Sequence, residues 1–153
     1  MRAKLVLMVA STAVSGALAP TLGVAAAGAK PKGTEVTCRV TLASVSKTTE
    51  LGVGRCTKPF GQGVQYVNGK GTVSGSAITE TGQFQQFFYT GTVYGTFKLA
   101  GSTTGPTLKG SVKYTGGTGA YKRAAGSGRL SCTSLSATGS ATLCTVTSTL
   151  TGI

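Results

Sequence analysis

Residues 112–130 constrain the fold more than any other stretch. They read Val112-Lys-Tyr-Thr-Gly-Gly-Thr-Gly-Ala-Tyr-Lys-Arg-Ala-Ala-Gly-Ser-Gly-Arg-Leu130. An alternating strand leads into a glycine-rich reversal, and a second strand follows with small residues at Ala124, Ala125, Gly126 and Gly128. Gly116, Gly117 and Gly119 can take positive φ and tighten the reversal. Small residues inside a strand suit a sheet that bends sharply or meets another backbone closely. The stretch therefore predicts a closed antiparallel β-barrel, with Tyr121 capping one end.

The rest of the chain reads the same way. Val36, Cys38, Val40 and Leu42 alternate with Thr37, Arg39 and Thr41, the pattern of a half-buried strand. Leu51–Cys56 is a glycine-interrupted partner, and Thr57–Gly61 a loop. Further short strands are expected at Val64–Val67, Gly71–Ile78 and Phe84–Tyr89, with a turn over Thr79–Gly82. From Gly91 to Leu99, Val93, Gly95, Phe97 and Leu99 share one face. After a Gly101–Pro106 loop, Leu108, Gly110, Val112 and Tyr114 do the same, and Leu143–Leu150 closes the chain. Gly-Thr-Val-x-Gly occurs at Gly71–Gly75 and again at Gly91–Gly95, which suggests a meander of similar strands. About eight strands in one disulfide-stabilised, all-β barrel is the expected architecture.

Residues 1–29 read as a signal peptide and 30–153 as the barrel domain. Arg2 and Lys4 precede the apolar Leu5–Ala10, and Ala25–Ala29 supplies small residues for cleavage after Ala27 or Ala29. Gly16, Pro20 and Gly23 interrupt the apolar run, short of the roughly 20 residues of a membrane span. A secreted protein without a transmembrane segment is expected. In an oxidising compartment the four cysteines, Cys38, Cys56, Cys132 and Cys144, predict two disulfides. Cys38 and Cys56 flank Lys47 symmetrically, and Cys132 and Cys144 flank Thr138. Each pair can bridge its own hairpin; a Cys38–Cys144 staple is the rival.

Composition restricts the chemistry. There is no His and no Trp, and the only acids are Glu35, Glu50 and Glu80. A Ser–His–Asp triad is excluded, and no cysteine spacing suits zinc; neither cofactor nor metal is expected. Glu35 and Glu80 read as outward or turn positions, and Glu50 lies in the first hairpin. Ser44-x-x-Lys47 and Gly69-Lys70 mimic catalytic and phosphate-loop fragments without their context. A formal net charge of +12 predicts attraction to polyanions, or simply keeps a Thr/Ser/Gly-rich barrel soluble. Lys98, Lys109, Lys113 and Arg129 have outward parity, and Lys122 and Arg123 follow the glycine reversal; these six are candidate polyanion-binding residues beside Tyr94. Stacking aromatics are too sparse for sequence-specific nucleic-acid recognition.

The segment Tyr114-Thr-Gly-Gly-Thr-Gly-Ala-Tyr-Lys-Arg-Ala-Ala-Gly-Ser-Gly resembles the Gly-Gly-Thr-Gly-x-aromatic…Ala-x-Gly signature of dirigent proteins and of related allene oxide cyclase-like barrels, including small secreted bacterial members. The resemblance implies an eight-stranded antiparallel barrel with a central apolar cavity, for which Phe87, Phe97, Tyr114 and Tyr121 are candidate lining residues. Dirigent proteins use cavity aspartates, and this chain has none. Allene oxide cyclases position a Glu and an Asn, and here the three glutamates and Asn68 lie in no matching motif. The expected function is a non-catalytic binding module, taking a small apolar ligand in the barrel or an anionic envelope polymer on the basic face. The alternatives are a cyclase or isomerase acting by substrate positioning, which needs a Glu or Tyr inside the cavity, and a structural cell-surface protein.

Overall fold

A computed structural model describes residues 32–153; the expected signal peptide lies outside the described residues. Eight strands form one closed antiparallel barrel in sequence order. They are β1 (Thr34–Ser44), β2 (Thr49–Cys56), β3 (Gln62–Ser74), β4 (Ala77–Phe88), β5 (Gly91–Ser102), β6 (Thr107–Gly117), β7 (Ala125–Ser134) and β8 (Ala141–Thr151). β8 returns to β1, pairing Leu150 with Thr34 and Ala141 with Ala43. Closure of this kind removes every free sheet edge.

Period-2 alternation sets the inner face. Val36, Cys38, Val40 and Leu42 are buried on β1, and Val93, Phe97 and Leu99 on β5. The cysteines fall on inward positions that face each other directly, Cys38 opposite Cys56 and Cys132 opposite Cys144. Both hairpins are bridged in this way, so the Cys38–Cys144 alternative is excluded.

Three local expectations need correction. Gly71–Ile78 is not one strand: β3 runs on to Ser74, the chain reverses at Gly75 with φ +59°, and β4 begins at Ala77. Thr79–Gly82 is accordingly the middle of β4 and not a turn, because Gly75 and Ser76 already supply the reversal. In the glycine-rich reversal only Gly119 has positive φ, +57°. It opens a single 3-10 turn, Gly119–Tyr121. Gly116 and Gly117 serve close packing instead: a Cβ at Gly116 would stand 2.6 Å from the Tyr94 hydroxyl. A register shift between Tyr94 and Gly95 brings β6 into that packing.

The two ends of the barrel differ. At one, Phe60, Phe88 and Tyr121 form an aromatic plug. Phe60 lies 4.7 Å from Phe88 and 4.6 Å from Tyr121, centroid to centroid, and Phe88 meets Tyr121 edge-on at 5.9 Å. The Thr90 hydroxyl donates to the Tyr121 oxygen at 2.7 Å. The other end carries the β1–β2, β3–β4, β5–β6 and β7–β8 turns and leaves the interior unfilled.

Candidate functional site

The interior beneath those four turns holds a cavity of about 290 Å³. Its apolar lining includes Leu42, Val67, Phe84, Phe97, Leu99, Val112, Tyr114, Leu130 and Val146, with Pro106 and Gly139 contributed by loops at the mouth. Phe84 and Tyr114 meet edge-on at 5.2 Å. Of the four aromatic candidates, Phe97 and Tyr114 line this cavity. Tyr121 does not, because it is spent in the plug at the closed end.

Phe87 points outward and is 43 % exposed. The inward set on β4 is Ile78, Glu80, Phe84, Gln86 and Phe88, so Phe87 has the opposite parity. It lies beside Val64, itself opposite Val53, in an outer apolar row.

The residues that sequence reading missed are polar. Glu50, Gln65, Glu80 and Gln86 all line the cavity. The outward or turn assignment of Glu80 is wrong, since Glu80 lies within β4 on the inward parity. Strand register explains the assembly. Glu50 faces Val67 across β2–β3, and Gln65 faces Gln86 across β3–β4. Glu80, further toward the mouth, bends back over Gly69. A Cβ there would stand 2.7 Å from its Oε1 and 3.0 Å from the Phe97 ring. Gly69 is thus a seat for the carboxyl group. Its signal in the sequence is a glycine on the inward parity next to an acid on the neighbouring strand.

Both carboxyl groups are held above the ordinary value of 4.5. For Glu50 the cause is burial, partly offset by a hydrogen bond donated by the Ser44 hydroxyl at 3.3 Å. For Glu80 burial dominates, and the negative charge of Glu50 adds to it. Burial also pushes the Tyr114 phenol up.

An acid whose pKa is raised by folding binds protons in the native state that the unfolded chain has released. Stability therefore falls as pH rises from about 4.5 through the raised values. A Glu50→Gln/Glu80→Gln variant is expected to melt a few degrees above the parent at about pH 7, the gap closing below about pH 4. Thermal melts across pH check this; a gap independent of pH would contradict the placement of the two half-buried acids in the cup.

The basic candidates divide into two sets. Lys98, Lys109, Lys113 and Arg129 come together. Lys98 and Arg129 flank Ser111 on either side across the sheet, and Lys109 and Lys113 flank it along β6 on the same outer face. All four are exposed, and the cross they form spans about 10 Å between β5 and β7. Lys122 and Arg123 instead lie in the β6–β7 connection at the closed end, also exposed. Asn68 faces outward on β3.

No group of three or more His, Cys, Asp or Glu among the described residues could hold a metal ion. No helix among them is long and apolar enough to cross a membrane. Comparison with family models, curated proteins and solved structures finds no match to this chain.

Proposed function

We propose that this is an exported, disulfide-braced binding barrel that holds a small, largely apolar ligand in its cup. The supporting observation is the cavity itself. Side chains fill the interior of most small barrels, whereas this one keeps about 290 Å³ open beneath its turns. That is just below the roughly 300–1,000 Å³ typical of small-molecule sites, which suits a small ligand. Apolar walls with a few converging polar groups fit the same description. Export is supported by the two disulfides, a bond type that persists in oxidising compartments. The closed eight-stranded architecture is the one that a dirigent or allene oxide cyclase-like relationship implies.

The test is binding of the neutral fluorophore N-phenyl-1-naphthylamine. Val146→Phe, which places a ring in the cavity, is expected to weaken it at least about tenfold. Val112→Phe is the second filling variant, and circular dichroism checks that each remains folded. Unchanged dye affinity in both folded variants would exclude the cup as the site.

Two other readings have an observation behind them. The cationic cross around Ser111 suits an anionic envelope polymer laid over β5–β7, an attraction that salt screens. A cyclase or isomerase working by substrate positioning needs an acid or phenol inside an apolar cavity. Glu50, Glu80 and Tyr114 meet that requirement.

A further inference from the structure

Apart from Glu35, which is exposed, the charges of this barrel are sorted by side. Every described Lys and Arg is exposed, whereas Glu50 and Glu80 face the cavity. No Lys or Arg is among the described residues that line it. Neither carboxylate thus has a protein cation within the cup to balance its charge. Charges in apolar surroundings are costly unless paired.

A second observation concerns Gln86, deeper in the cup. It is 3 % exposed, and its hydrogen bond among the described residues runs from Nε2 to the Cys56 sulfur at 3.5 Å. Sulfur is a weak acceptor, so this amide is only weakly engaged. Gln65, directly opposite in register, borders the same space. The acceptors therefore form a graded strip on β2–β4, carboxylates toward the mouth and amides toward the plug. The facing wall from β5–β8 is mainly hydrocarbon, with Phe97, Leu99, Val112 and Val146.

We propose that the cup takes a small amphipathic amine, its ammonium group between the carboxylates of Glu50 and Glu80 and its hydrocarbon part against the β5–β8 wall. This rests on the reading of the barrel as a ligand-binding cup and adds the ligand's chemical class. An ammonium carries three donors and no acceptor, which matches two carboxylates that, when ionised, only accept. Hydrogen bonds between ionised partners are also shorter and stronger than neutral ones. A carboxylate ligand would meet two like charges, and a neutral alcohol would leave them unbalanced. The cavity of about 290 Å³ restricts the hydrocarbon part to a compact unit no larger than a few rings.

Three probes of one shape and different charge test the proposal by calorimetry at neutral pH: 2-phenylethylammonium, 2-phenylethanol and 3-phenylpropanoate. The ammonium is expected to bind at least about tenfold more tightly than the alcohol, and the carboxylate not at all. Glu50→Gln and Glu80→Gln should each lower ammonium affinity about tenfold or more and leave the alcohol unchanged. Equal binding of alcohol and ammonium, or equal loss of both in the glutamine variants, overturns the amine assignment and leaves the cup reading standing. Failure of the ammonium to bind while N-phenyl-1-naphthylamine still does has the same meaning. Failure of all four probes removes the cup reading with it.

Discussion

Replacing all four cysteines with alanine is expected to leave a chain at the edge of unfolding at physiological temperature. The bridges close segments with sequence separations of 18 and 12 residues. Loop-closure entropy in the unfolded chain then assigns about 3 kcal/mol to each. The two segments share no residues, so the effects should roughly add to about 6 kcal/mol. That is comparable with the whole stability of many domains, about 5–15 kcal/mol. Loss of four buried sulfur-bearing side chains adds to the deficit. Urea titration of the parent, each single-bridge variant and the four-alanine variant would show midpoints falling in two similar steps. A four-alanine chain within about 1 kcal/mol of the parent would mean that closure of the sheet alone holds the barrel.

Phe88→Ala is the second large effect. Phe88 contacts both other rings of the plug and sits against Gly63, whose missing Cβ leaves space for its ring. Truncating such a residue removes its burial and leaves a hole that the neighbouring rings fill only in part. A cost of about 3–5 kcal/mol is expected. Tyr121→Phe is the matched control, since it keeps the ring and loses only the hydrogen bond from Thr90, worth about 1 kcal/mol. The sign of the dye result also follows. Opening the closed end enlarges the interior, so a folded Phe88→Ala barrel should keep the cup and still take up N-phenyl-1-naphthylamine. Denaturant titration of both variants supplies the numbers; similar costs for the two would show that the plug is not a packed unit.

The barrel was legible in the sequence where inward positions were apolar. On β1 and β5 the alternation of Val, Leu and Phe with Thr and Lys has one physical reading, because only one face can be buried. The cysteine pairs were legible through their symmetry about Lys47 and Thr138, which are the centres of two hairpins. The cup was not. Its key groups, Glu50, Glu80, Gln65 and Gln86, are polar residues on inward parity, and a hydrophobic-inside rule assigns them outward.

The Thr79–Gly82 error has the same origin. A glutamate beside a glycine looks like a turn, yet here Gly82 and Gly69 make room for the Phe97 ring. Phe87 was misplaced because two adjacent phenylalanines on a strand leave parity ambiguous. Register with β3 and β5 settles it, and register is a property of the whole sheet.

The seam between β1 and β8 joins the first strand of the domain to the last, with Thr34 beside Leu150. Synthesis on the ribosome delivers β1 long before its partner β8. Until the final strand emerges, the nascent sheet has two raw margins, β1 and β7, each offering unpaired amide and carbonyl groups to other chains. A chain lacking residues 144–153 should consequently clump instead of remaining dispersed as a slightly weaker barrel.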